Sequence, residues 1–219
     1  MVFFVVIGVV DQDVEDHAPE EFLLLRTHLV TGIVGFILGV LLHALQPGAP
    51  RTLDEAASKR ALAEFGLPVP QGQVVPAAQV LPAADALGYP VVLKAVSEHL
   101  AHKTEAGAVH LNLANATQVQ AALDKMAGLS DHFLVEQMAT HVVAEVIVGV
   151  QRDAQFGLSL TVGAGGVLVE LLQDAGTLLL PVQRHEVQAA LQGLKIWPLL
   201  RGFRGRPAGD VAALVDAVM

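Results

Sequence analysis

The chain of 219 residues contains no cysteine, which excludes disulfides, thiolate metal sites and a cysteine nucleophile. A reducing compartment is compatible with that absence and is not established by it. Positive charge is scarce: 13 Lys and Arg stand against 22 Asp and Glu, a formal charge of -9. Such a balance argues against nucleic acid as a partner, while leaving room for a local basic pocket that holds a nucleotide. Charged residues make up only 16% of the chain and apolar residues 53%. A disordered polymer is therefore excluded, and the chain is long enough to bury a core without staples. No internal repeat is present. The length suits one large domain or two small ones.

The apolar residues are spread unevenly, and the first fifty residues differ from the rest. Residues 1–10 read MVFFVVIGVV, followed by an acidic patch of Asp11, Asp13, Glu15, Asp16, Glu20 and Glu21. Residues 29–45, LVTGIVGFILGVLLHAL, carry no formal charge. A bilayer core needs about 20 apolar residues, and this run is at the short edge of the range. Gly35 and Gly39 are spaced for close helix packing. Arg51, Lys59 and Arg60 follow the run and Arg26 precedes it, so a spanning helix would leave the C-terminal part in the cytosol. The other readings are a buried helix, a strand pair or a leader outside the domain. No basic start precedes the first apolar run, which argues against a cleaved secretory signal. Gln46-Pro47-Gly48-Ala49-Pro50 reads as a linker and puts a domain boundary near residue 50.

From residue 51 helices and strands follow one another. Thr52 and Glu55 have capping-box spacing, and Leu53, Ala57, Ala61 and Phe65 form a helical stripe. Gly66 and Pro68 end that helix. Pro82 opens a second helix that Gly88 closes. Residues 90–96 and 108–113 read as strands around a polar loop at 97–107, and Asn115 caps a helix over 116–127. Further strands are expected at 132–138, 143–150, 157–163 and 167–172, and helices at 185–194 and 208–218. The long strand-rich stretches between helices point to an α+β fold, not a regularly alternating parallel sheet.

Several residues in this framework can carry chemistry. Lys94, in YPVVLKAV, is a strand lysine among apolar neighbours. Its ammonium needs an anion or a carboxylate, unless it snorkels from an edge strand. His102 and Lys103, with Thr104 and Gly107, form a loop that could hold phosphate, the imidazole serving as donor or as phosphoryl acceptor. In FLVEQM the polar step Glu136-Gln137-Met138 ends an apolar strand. It reads as a backbone edge for a purine with Met138 on its face, or as plain solvent-facing alternation. Glu145 begins the next strand and could take ribose hydroxyls. Gly163, Gly165 and Gly166 allow close ligand approach or a simple hairpin turn. No helix start follows these glycines, so neither a Rossmann nor a Walker motif is present. Glu170 and Asp174 could reach a magnesium ion, though two acids four apart are common on any surface. Arg201, Arg204 and Arg206 in LLRGFRGRP could clamp phosphates or a carboxylate, or form a solvated loop.

The segments LDEAASKRALAEFGLPVP, LGYPVVLKAV, HKTEAGAV, FLVEQM, AEVIVGVQRDAQFG, GAGGVLVELLQD and LLRGFRGRP follow one another within residues 51–219. This succession resembles the ATP-grasp domain of ADP-forming acyl-CoA synthetases. The resemblance implies an α+β ATP-grasp fold of two lobes around ATP or ADP. It places Lys94 at the phosphates, Glu136, Gln137 and Met138 at the adenine, and Glu145 at the ribose. Lys103, Gly107, Gly165 and Gly166 are implied as further nucleotide contacts. His102 matches the histidine that carries phosphoryl between the nucleotide and an acyl-phosphate site. The implied reaction joins an acid to CoA with ATP, giving acyl-CoA, ADP and phosphate. The implied partners are a small acyl substrate and CoA-binding and ligase domains on another chain. The implied location is the cytoplasm, with anchoring through 29–45 as the alternative. The family reads a double glycine where this chain has Gly107-Ala108. It also continues into a strand with an acid-x-Asn-Pro-Leu motif that supplies magnesium ligands, which are expected to lie outside these 219 residues. The first fifty residues match nothing in the family. The same domain occurs in acetyltransferases as a regulatory part, so a catalytically silent nucleotide-binding module is the alternative function.

Overall fold

The structure, a computed structural model, describes residues 2–10, 55–96, 107–166 and 169–219, with the backbone alone for 2–10, 169 and 170. The apolar run at 29–45, Thr52, His102 and Lys103 lie outside these residues. The described residues fall into two compact units. Residues 55–61, 69–96 and 107–139 belong to the first, and 2–10, 62–68, 140–166 and 169–219 to the second.

The first unit is built on an antiparallel four-stranded sheet of order β2-β5-β3-β4. Its strands are β2 (Gly72–Pro76), β3 (Val91–Ala95), β4 (Val109–Leu113) and β5 (His132–Gln137). Alternation along β3 sends Val91, Leu93 and Ala95 into the core, with Phe133 and Val135 from β5 beside them. Helices α2 (Val80–Leu87) and α3 (Ala116–Lys125) close that core through Val80, Ala84, Val119 and Ala122. Asn115 caps α3 as its position predicts, its side-chain oxygen accepting the Gln118 amide at 3.0 Å. Helix α1 (Glu55–Glu64) consists of Ala, Leu, Lys, Arg and Glu apart from Ser58, all good helix formers. It ends in a Schellman turn: the Gly66 amide donates to Ala63 and the Leu67 amide to Leu62. Gly66 sits at φ +82°, a conformation that a side chain would strain.

The second unit carries an antiparallel sheet of order β1-β6-β7-β8. Its strands are β1 (Val2–Val10), β6 (Val142–Asp153), β7 (Gly157–Ala164) and β8 (Ala175–Leu179). Val146, Val148 and Val150 alternate inward with Leu160 and Val162. Helices α5 (Arg184–Gln192), α6 (Trp197–Leu200) and α7 (Val211–Val218) bring Val187, Leu191, Leu200 and Leu214 to the same core. Strand β1 pairs along β6 from Val2 opposite Gln151 to Val10 opposite Val142. The sheet thus draws on chain from both sides of the boundary expected near residue 50.

One expected strand is corrected. Of residues 167–172, Val169–Leu172 form a short helical turn, α4, and the strand follows later as β8, paired with β7 from Ser159 opposite Leu179 to Gly163 opposite Ala175. A short, mostly apolar stretch such as VLVELL does not distinguish helix from strand by periodicity. Pairing with β7 decides the matter. No helix among the described residues is long and apolar enough to cross a membrane.

Leu93→Ala removes a fully buried side chain at the centre of the first sheet, and is expected to destabilise the protein by about 3 kcal/mol. Asn115→Ala is expected to cost about 1 kcal/mol by loss of the cap. Urea midpoints test both, and a Leu93→Ala effect no larger than the cap effect would contradict this packing.

Candidate functional site

The pleat of β3 that sends Leu93 into the core turns Lys94 to the opposite face of the sheet. Strand β5 lies alongside in antiparallel register, with Val92 opposite Glu136 and Lys94 opposite Leu134. Lys94 and Glu136 are therefore diagonal neighbours on one face. Lys94 Nζ lies 3.0 Å from Glu136 Oε2. Helix α1 reaches the same place: Glu55 Oε1 accepts a hydrogen bond from Lys94. Lys59, one turn further along α1, donates to Glu55 Oε1 at 2.9 Å and to Glu136 Oε1 at 2.5 Å. The Glu136 side chain is only 4% exposed and that of Lys94 18%. Two ammonium groups and two carboxylates thus form one cluster.

The charges lock one another in place. Burial pushes the Glu55 carboxyl up, but hydrogen bonds and charge from Lys94 and then Lys59 outweigh it and hold it at about 2, against an ordinary 4.5. Burial likewise pulls the Lys94 ammonium down, and Glu55 and Glu136 more than reverse this, so it titrates above its ordinary 10.5. From sequence, Glu55 is read as a helix-capping residue and Lys59 as one of the basic residues after the apolar run; neither is assigned to a site. The signals were their i,i+4 spacing on α1 and the carboxylate that a strand-borne Lys94 requires.

The other residues of the polar step sit in the same unit. The Gln137 amide donates to the Gln71 carbonyl at 2.9 Å, and the Met138 amide to the Pro90 carbonyl at 3.1 Å. Both donors are thus engaged within the protein. Gly107 has φ +66° and open space where a Cβ would stand, so its requirement is conformational. The Ala108 methyl is fully buried in the core of this unit. It fills packing space on the side of the sheet that Leu93 occupies.

In the second unit the structure brings Glu145, Gly165 and Gly166 together. The Gly165 amide donates to the Glu145 carbonyl at 2.7 Å. A Cβ on Gly165 would stand 2.9 Å from the Glu145 backbone carbon, and one on Gly166 would collide with Glu145 Oε2. What approaches these glycines closely is the acid itself. Asp174 does not fit a magnesium ligand. It is buried, and its two carboxylate oxygens accept the Lys195 and Ile196 amides at 2.9 and 3.1 Å. Among the described residues, no three His, Asp or Glu side chains are grouped to hold a metal ion. Arg201, Arg204 and Arg206 are exposed, and the Arg204 guanidinium lies 5.2 Å from the centroid of the Phe203 ring.

The chain belongs to the ATP-grasp domain family, which it matches over residues 44–219. It is 30% identical over 178 residues to the ADP-forming acetate–CoA ligase I beta subunit of Pyrococcus furiosus, covering 77% of each chain. It is 34% identical over 182 residues to the ADP-forming acetate–CoA ligase of Methanocaldococcus jannaschii, covering 76% of this chain and 25% of that one. Among solved structures it is similar to the dinucleotide-forming acetyl-coenzyme A synthetase 1 of Ca. Korarchaeum cryptofilum in complex with coenzyme A and Ca-AMPCP. The TM-score is 0.70 at 30% identity, over 82% of each chain. A second structure of that synthetase, with coenzyme A and Mg-AMPPCP, has its phosphohistidine segment pointing towards the nucleotide binding site; here the TM-score is 0.65 at 31% identity.

The Glu55 contribution to stability is complete above pH 4.5 and is lost as pH falls towards about 2, because the unfolded chain takes up the proton first. The Lys94 contribution is complete below pH 10.5 and is lost as pH rises through the raised folded value. Glu55→Gln is therefore expected to flatten the acid limb of stability between pH 4.5 and 2. Denaturant midpoints measured across that range test this, and an unchanged slope would contradict the ion cluster.

Proposed function

We propose that this chain is the nucleotide-binding part of an ADP-forming acyl-CoA ligase. The observation that carries the reading is the ammonium of Lys94, kept charged on an inner strand by two carboxylates. Support comes from the likeness to the ligase beta subunit, whose length is 77% covered. In this reading Lys94 binds the phosphates of ATP or ADP. The end of β5, Glu136 and Gln137, and Met138 just after it border the adenine. Glu145, set by Gly165 and Gly166, takes the ribose hydroxyls, and Lys103 and Gly107 add contacts from the loop that carries His102.

His102 is the catalytic residue of the proposal. Its neutral imidazole attacks the γ-phosphorus of ATP. A nitrogen–phosphorus bond forms as the bond to the ADP oxygen breaks. The phosphoryl group then passes from His102 to the carboxylate of the acid, giving an acyl phosphate. The CoA thiolate displaces phosphate from it, giving acyl-CoA. Most of the catalysis is positioning and charge neutralisation of a loose transition state. Magnesium accompanying the triphosphate would supply further neutralisation. The CoA-binding and acyl-binding parts belong to a partner chain, in keeping with the name of the beta-subunit relative.

Incubation of the chain with γ-labelled ATP and magnesium tests the relay. Base-stable, acid-labile label is expected, and His102→Ala is expected to abolish it. Lys94→Met is expected to weaken ADP binding by about tenfold or more through loss of a charged phosphate contact, measured by titration calorimetry. Nucleotide binding without any label would favour a silent binding module instead.

A further inference from the structure

Lys59 and Lys94 address the same two acids. Lys59 Nζ lies 2.9 Å from Glu55 Oε1 and 2.5 Å from Glu136 Oε1. Lys94 is bonded to that same oxygen of Glu55, and lies 3.0 Å from the other oxygen of Glu136. The formal charges of the four groups sum to zero. As a phosphate ligand, Lys94 must turn at least partly away from these carboxylates. Withdrawing the sole cation from a buried carboxylate leaves an uncompensated charge, which is strongly unfavourable. Glu136, with a side chain 4% exposed, is such a carboxylate. Lys59 removes that penalty, because both acids keep one ammonium when Lys94 leaves.

We propose that Lys59 is a positioning residue that releases Lys94 to a nucleotide's phosphates, and that Glu55 is the acid that retains Lys94 until phosphate arrives. The inference rests on the reading of Lys94 as a phosphate ligand. It gives the two α1 residues opposite effects on affinity. Removing Glu55 frees Lys94 and leaves the cluster with one excess positive charge. Removing Lys59 leaves one excess negative charge and ties Lys94 to both acids. Removing both restores neutrality, with Lys94 facing Glu136 alone.

The test is calorimetric titration of the full chain with ADP, and with adenosine as the phosphate-free control. Glu55→Gln is expected to tighten ADP binding by about threefold, and Lys59→Met to weaken it by about tenfold. The double variant is expected to return to within about threefold of wild type. Adenosine affinity is expected to stay constant throughout, which a general loss of structure would not allow. Weaker or unchanged ADP binding in Glu55→Gln overturns the inference. So does unchanged binding in Lys59→Met, a double variant no better than Lys59→Met, or an equal loss of adenosine. Should Lys59→Met fail to fold, the sign of the Glu55→Gln effect decides alone. Wild-type ADP binding that survives Lys94→Met undiminished overturns the phosphate-ligand reading itself, and is thereby told apart from failure of the Lys59 role.

Discussion

A lysine on an inner strand of a sheet must keep its ammonium charged or lose it, and the first unit is arranged around that constraint. Strand β3 lies between β5 and β4, and four of its five residues are buried. An ammonium there is poorly hydrated, and burial alone would favour the neutral amine. Glu136 on β5 and Glu55 on α1 reverse that preference. Ion clusters of this kind contribute little net stability compared with apolar packing. Their consequence is an ammonium kept charged on an inner strand.

The constraint fixes other features in turn. Glu136 can meet Lys94 only because β3 and β5 run antiparallel in one register; a slip of one residue would send the Glu136 carboxylate into the apolar core with Phe133 and Val135. Helix α1 is held to the polar face of the sheet by Glu55 and Lys59, and none of its residues is fully buried. The other face is free to pack α2 and α3, and does so with small and branched apolar residues. In the second unit the same economy of faces is visible on β6. Val146, Val148 and Val150 turn inward, while Glu145 is left exposed beside Gly165 and Gly166.

The likeness to ADP-forming ligases and the charge cluster supply different kinds of information. The relatives define the family and the reaction class to propose. They do not say how a half-buried ammonium is held on β3. The four-membered cluster offers an answer in electrostatic terms, with Lys59 as the group that keeps the acids paired.

Element pattern and turn residues were enough for an α+β chain, because those signals are local; the ATP-grasp reading came from resemblance, through the order of the motifs. Asn115 caps α3 and Gly66 closes α1, since each relies on a few adjacent residues. Lys94 stood out by the same logic, as a charge among apolar neighbours that needs a carboxylate. Which carboxylates meet it was not legible, because Glu55 and Glu136 are separated from it by 39 and 42 positions and only strand register and helix placement bring them in. The partners of Gly165 and Gly166, the use of Asp174 on backbone amides, and the helical turn at Val169–Leu172 were hidden for the same reason. Each is settled by a contact across the fold, and one-dimensional periodicity carries no information about such contacts.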